Sequence, residues 1–245
     1  LGCPKNLVDS QVMLGLLKSN KFQITEDPAD ADTVIVNTCS FIDSAKQESI
    51  NTILEMADFK ESGKLKNLVV SGCMAQRYSK DLEKDMPEVD LFIGTGEYHR
   101  VVELLQKKAL GKLRQKSFVD IPKFIHTDEH PRINTGARHS AFLKISEGCV
   151  RNCSFCIIPK LRGHEVRSRS ISSLVEEAKA LAESGVRELN LVAQDLTHYG
   201  IESGFQENLA GLLRALVKVA GIKWIRLHYA YPDNFTDEVI DLMAN

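Results

Sequence analysis

Apolar residues recur along the chain at two alternating periods. Three short runs rich in β-branched residues, TVIVNTC (33–39), NLVVSGC (67–73) and DLFIGTG (90–96), read as buried strands. Segments with helical spacing lie around them. Residues 7–19 carry Leu7, Val8, Met13, Leu14, Leu16 and Leu17, and residues 44–58 place Ile50, Ile53, Leu54 and Ala57 on one face. A helix is expected over 76–85 after Cys73, and another over 98–111 with Val101, Val102, Leu104 and Leu105 as its buried stripe. Strand and helix in alternation imply a parallel sheet covered by helices. Leu1–Gly2–Cys3 reads as the tail of a strand that begins earlier.

Residues 112–140 break this rhythm. They hold Pro122 and Pro131 and no sustained period, which predicts a linker. A second series then starts with AFLKISEGC (141–149), a strand ending in cysteine. Helix 171–184 is opened by Ser170 and closed by Gly185. Strand 188–195, helix 207–220, strand 224–232 and helix 236–244 complete a barrel-like or open α/β arrangement. The expected organisation is an N-terminal domain over 1–111, a linker over 112–140 and a second, incomplete domain over 141–245, with both ends of the natural protein missing.

Composition narrows the class only a little. The 245 residues are 43% hydrophobic and 26% charged, with a net charge of −2. No apolar run approaches the roughly 18 residues of a membrane span, no leader is visible, and no membrane association is expected. Near-neutral charge argues against gripping nucleic acid by bulk electrostatics. The six cysteines, Cys3, Cys39, Cys73, Cys149, Cys153 and Cys156, change the picture more. A chain this long, without a secretory signal, has no need of disulfide staples, so metal or cluster binding in a reducing cytoplasm is the better reading.

Cys39 and Cys73 each terminate a predicted strand, and Cys3 ends the truncated one. Intervals of 36 and 34 residues match βαβ units. Parallel strands point the same way, so their C-terminal ends line the edge where open α/β sheets place ligands. Gly2 and Gly72 directly precede cysteines and leave room for a bulky inorganic group. Buried apolar cysteines are the bland alternative. Zinc is the rival ligand, in a non-enzymatic binding protein, but a structural zinc site needs four donors and no fourth has suitable spacing.

The second group, CVRNCSFC (149–156), follows a strand directly, and its C-x₃-C-x₂-C spacing lets one loop wrap three thiolates around a cluster. Soft thiolates select iron–sulfur clusters, and a 4Fe-4S cube normally takes four ligands. Three protein donors leave one iron open for a small chelator such as an amino acid. An open coordination position marks a catalytic site.

This loop on the first strand of an α/β domain resembles the radical S-adenosylmethionine (SAM) superfamily. The added three-cysteine domain resembles the radical SAM methylthiotransferases. Within them LGCPKNLVDS (1–10), CSFCIIP (153–159), LVAQDLTHYG (191–200) and RLHYAYP (226–232) resemble the branch that modifies a ribosomal protein. The tRNA-directed branch, an adenosine C2 methylthiotransferase, is the alternative. The resemblance implies an N-terminal Rossmann-like parallel sheet followed by a truncated radical SAM partial TIM barrel. The barrel's second half and a terminal TRAM domain lie outside the sequence. It implies two 4Fe-4S clusters, an auxiliary one on Cys3, Cys39 and Cys73 and a radical-generating one on Cys149, Cys153 and Cys156. It also implies two SAM molecules: one methylates sulfur at the auxiliary cluster, and the second yields a 5′-deoxyadenosyl radical. The implied substrate is an aspartate of small-subunit ribosomal protein S-twelve, gaining a methylthio group on its β-carbon. A flavodoxin or ferredoxin is the implied electron donor, and a monomer is expected.

No side chain need act as a general base on this reading. Phe155 is expected to shield the cluster and stack on an adenine, with loop packing as the plain alternative. Gln194, at the end of the second barrel strand, is placed near SAM, with an amide able to donate and accept. Asp195 could do the same, or cap a turn. Arg162, Arg167 and Arg169 form a basic stretch; Arg169 is assigned to the cofactor, clamping a carboxylate, against a solvated loop as the alternative. The histidines show no ligand spacing, and GTG (94–96) reads as a turn.

Overall fold

The computed structural model describes residues 1–202 and 204–244. The chain forms two compact units. Unit 1 comprises residues 1–124 with 131–133, and unit 2 comprises residues 125–130 with those from 134 onward. The segment expected to be a featureless linker is thus shared between the two units.

Unit 1 contains α1 (Pro4–Ser19), β1 (Thr33–Thr38), α2 (Asp43–Ser62), β2 (Asn67–Gly72), α3 (Cys73–Asp85), β3 (Leu91–Ile93), α4 (Val101–Ala109) and β4 (Ser117–Phe118). The sheet order is β1-β2-β3-β4, all parallel. Alternation along the strands sorts the core into two layers, as period-two side-chain geometry requires. Val69, Leu91 and Ile93 pack with Val12, Met13 and Leu17 of α1 and Leu104 and Leu105 of α4. Val36, Leu68, Val70 and Phe92 pack on the other face with Ile53 of α2 and Met74, Ala75 and Leu82 of α3. β4 falls inside the predicted linker. Two residues are too few to show a period, yet Ser117 and Phe118 pair with Phe92 and Ile93.

Unit 2 contains β5 (Ser140–Lys144), β6 (Ser146–Glu147), α5 (Ile158–Arg162), β7 (Arg167–Ser168), α6 (Ile171–Glu183), β8 (Glu188–Val192), α7 (Leu209–Leu216), β9 (Trp224–Leu227) and α8 (Asp237–Ala244). Its main sheet is parallel, in the order β5-β8-β9. Leu143, Ile145, Leu189 and Leu191 meet Leu174 and Ala178 of α6 and Leu212 and Leu216 of α7, all buried. Burying each leucine contributes roughly 2 kcal/mol. Ser170 caps α6, its hydroxyl accepting from Ser173 N at 3.3 Å. On β9, at one edge of this sheet, Trp224 is 59% exposed.

The strand expected over 141–149 stops early. Ile145 still bonds to Val192, but the next two residues turn away as β6 and pair antiparallel with β7. Gly148, at φ +98°, completes the break, and a Cβ there would lie 1.9 Å from the carbonyl oxygen of Glu165.

Candidate metal centres

In unit 1 the register aligns Thr38 with Gly72, so β1 and β2 end level. Cys39 follows the first immediately, and Cys73 opens α3 after the second. Cys3 precedes α1, its carbonyl accepting from Leu7 N at 3.1 Å. Polar side chains tie these ends together. Asn6 donates to Thr38 O at 2.8 Å and accepts from the Cys73 thiol at 3.8 Å. Ser40 donates to Cys73 O at 3.0 Å, and Cys39 N donates to Ser49 Oγ of α2 at 3.1 Å. Gly2 lies close enough to Cys39 that an added Cβ would sit 3.4 Å from its Sγ. Three cysteines distant in sequence therefore gather at one end of the sheet. Gly72, at φ +92° and ψ −152°, occupies backbone space essentially reserved for glycine.

In unit 2 the three cysteines lie in the loop between β6 and α5. Cys149 N donates to Gly163 O and Cys156 N to Cys153 O, both at 3.0 Å. Burial pushes the Cys149 thiol up, against the lowering effect of a backbone hydrogen bond from Arg151, and the Asp195 charge acts in the same direction as burial. All six cysteines are free. Among the described residues no three His, Cys, Asp or Glu side chains close on a single metal ion. A cube does not require that, because each thiolate binds a different iron. Three soft thiol donors at each site fit such a group by their chemistry, while the space beside Gly2 and Gly72 is filled by protein atoms, Cys39 Cβ at 2.8 Å and Thr38 O at 2.7 Å from an added Cβ, and leaves no room there for an inorganic group.

Behind Cys149 lies a fully buried charge cluster. Glu147 accepts from Lys144 Nζ at 2.8 Å and Arg162 Nη1 at 3.3 Å, and none of the three is more than 2% exposed. Burial raises the Glu147 carboxyl, but the charges of Lys144 and Arg162 outweigh it and leave it at about 2. Gln194 joins this cluster, accepting from Gly148 N at 2.9 Å and donating to Glu147 Oε1. Both ends of its amide hold the residues before Cys149. Asp195 receives Arg151 Nε at 2.6 Å, Thr197 N at 3.0 Å, Thr197 Oγ1 at 2.7 Å and Tyr231 N at 3.3 Å.

Phe155 is 84% exposed between Cys153 and Cys156, a position open to a ligand. Arg169 is placed differently from the expected clamp. Its buried guanidinium donates to Glu177, to Ser173 Oγ at 3.0 Å, and to His126 Nε2 and Lys144 O at 3.2 Å each. Because Arg169 already occupies Glu177, His126 is the neutral acceptor. Burial pulls its pKa down to about 4, with the Arg169 and Lys144 charges acting the same way against Glu177. Arg162 is likewise buried rather than solvated.

The model of "Uncharacterized protein family UPF0004" matches residues 1–94, and that of the Radical SAM superfamily matches residues 143–245. A ribosomal protein uS12 methylthiotransferase RimO of Citrifermentans bemidjiense is 51% identical over 243 residues, covering 99% of this chain and 54% of its own. Its namesake in Myxococcus xanthus is 53% identical over 245 residues, covering 100% and 50%. The chain belongs to the radical SAM methylthiotransferase family. It spans about half the length of the curated relatives it matches. Among solved structures, the radical S-adenosylmethionine methyltransferase TsrM of Kitasatospora setae superposes with a TM-score of 0.69 at 15% identity, covering 99% of this chain and 55% of its own. At that identity the likeness concerns the fold.

Sequence reading of this family member missed Lys144, Glu147 and Arg151. Two charges inside an otherwise apolar strand, AFLKISEGC, are the signal that could have flagged the first two. Nothing local marks Arg151, whose partners lie 44 and more residues away.

Proposed function

We propose that the protein transfers a methylthio group to the β-carbon of an aspartate of ribosomal protein uS12 (S-twelve). The observation that carries this is identity of about half across the whole chain to proteins named for that activity, with all six cysteines at two loop-and-strand-end sites. Cys149, Cys153 and Cys156 would hold one 4Fe-4S cluster, and Cys3, Cys39 and Cys73 an auxiliary one. What clusters and SAM supply there is one-electron cleavage of the cofactor and a sulfur source. The chain's own residues do the positioning. Gln194 and Glu147 fix the backbone ahead of Cys149, and Phe155 offers an aromatic face at the loop tip. Arg169 is spent on a buried network and is assigned to holding that network rather than to the cofactor. A small reducing protein such as a flavodoxin or ferredoxin would deliver electrons, a monomer would suffice, and a ribosomal substrate places the reaction in the cytoplasm. Among the described residues no helix is long and apolar enough to cross a membrane.

Incubating the full-length, reconstituted protein with SAM and a reductant, against a uS12 peptide and against tRNA in parallel, tests the reading. A mass increase matching one methylthio group on the peptide aspartate is expected. Modification of tRNA alone overturns it.

A further inference from the structure

Within the cysteine loop, Cys149 N donates to Gly163 O, Cys156 N donates to Cys153 O, and the Arg151 backbone N–H bonds to the Cys149 thiol. Arg151 sits in the middle of the loop, two residues from Cys149 and two from Cys153. Its side chain, only 17% exposed, reaches off the loop. Nε donates to Asp195 Oδ2 at 2.6 Å, Nη1 lies 3.5 Å from Asp233, and the guanidinium stacks 3.7 Å over the ring of Tyr231. Asp195 is 4% exposed and its other oxygen is fixed by Thr197 and Tyr231 N. These partners stand after β8 and after β9. One side chain therefore stitches the loop to two neighbouring strand ends.

We propose that Arg151, held by Asp195 and Tyr231, is a positioning residue that orders the cysteine loop before any cluster is inserted. A charge-assisted contact to a buried, oriented carboxylate is among the stronger polar interactions, and this one reaches from the loop to a separate strand end. Ordering the loop in advance removes chain entropy from the assembly step, so the thiols converge in the cluster-free protein. The role rests on the reading that Cys149, Cys153 and Cys156 are cluster ligands.

The test uses full-length, cluster-free protein under reducing, anaerobic conditions. Iodoacetamide labelling of Cys153 and Cys156 is followed by peptide mass spectrometry, with Cys39 as the internal reference. Arg151→Ala and Asp195→Ala are each expected to speed labelling at the two loop cysteines about fivefold or more while Cys39 stays unchanged. The double variant should be no faster than either single one, because the two residues act through one contact. Arg151→Lys, which keeps the charge, should recover at least half of the effect. Unchanged labelling in Arg151→Ala, additive effects in the double variant, or no recovery with lysine overturns the proposal. Iron content of the reconstituted wild type separates the two claims. Protected loop thiols with no iron bound to them would sink the cluster reading and leave the positioning role standing.

Discussion

In unit 1 three thiols come from residues 36 and 34 positions apart, whereas in unit 2 three thiols come from eight consecutive residues. The first set exists as a set only once β1 and β2 pair and α1 docks, since Cys3, Cys39 and Cys73 each sit where an element begins or ends. The second set is close in sequence whatever the fold does, but its loop must be held. The structure holds it with buried charge: Glu147 between Lys144 and Arg162, and Asp195 on Arg151. Unit 1 adds neutral hydrogen bonds through Asn6, Ser40 and Ser49, together with a charged donor, Arg77 Nη1 to Ser40 O at 3.1 Å. A site assembled by topology is tied where its elements begin and end, while one written into a single loop needs anchors from elsewhere.

The difference can be broken most severely at the glycines. Gly72→Ala and Gly148→Ala each force a side chain into positive φ and against backbone oxygens, costing on the order of 3 kcal/mol in strain before any clash is counted. In the full-length protein each is expected to cut iron at its own trio while hydrogen exchange in the other unit stays unchanged. Next comes Glu147→Gln, which strands Lys144 and Arg162 without their carboxylate and should destabilise unit 2 by roughly 3–5 kcal/mol. Segment-resolved hydrogen exchange should show the loss in unit 2 and none around Cys39.

Acid should separate the units as well. His126 is neutral when folded, so its contribution is full above its ordinary value of 6.5 and falls as pH drops toward about 4, because only the unfolded chain takes up the proton in that window. The loss is on the order of 3 kcal/mol. Glu147 adds a second loss as pH falls from 4.5 toward about 2, since its folded value is depressed. Urea titrations of cluster-free protein from pH 7 to pH 4, followed by hydrogen exchange, should show unit 2 weakening first. The smallest expected effect is Asn6→Ala, about 1–3 kcal/mol confined to unit 1, since it removes the amide that donates to Thr38 O and accepts from the Cys73 thiol. Loss of iron at the first trio without change at the second checks it.

Much of this was legible in the sequence where a pattern repeats. β-branched runs and helical stripes located the main strands and helices; of the three unit 1 cysteines expected at strand ends, Cys39 and Cys73 directly follow β1 and β2, whereas Cys3 precedes α1 with no strand before it. The short pieces were not legible. β4 has two residues, and β6 with β7 forms a two-residue ladder, too short for any period to register. The predicted linker hid His126, whose burial depends on Arg169, 43 residues later. Arg169 and Arg162 looked like a solvated or ligand-clamping stretch because sequence shows charge but not the buried carboxylates, Glu177 and Glu147, that pair with it. Gln194 was expected near the cofactor; the structure shows the residues it holds, Gly148 and Glu147.

The most direct test counts iron and acid-labile sulfide per chain after anaerobic reconstitution of the full-length protein, for wild type, Cys39→Ala and Cys149→Ala. Two separate cubes predict about eight irons in the wild type and about four in each variant. A wild type that binds zinc with no sulfide, or variants that lose all or none of their iron together, would contradict the account.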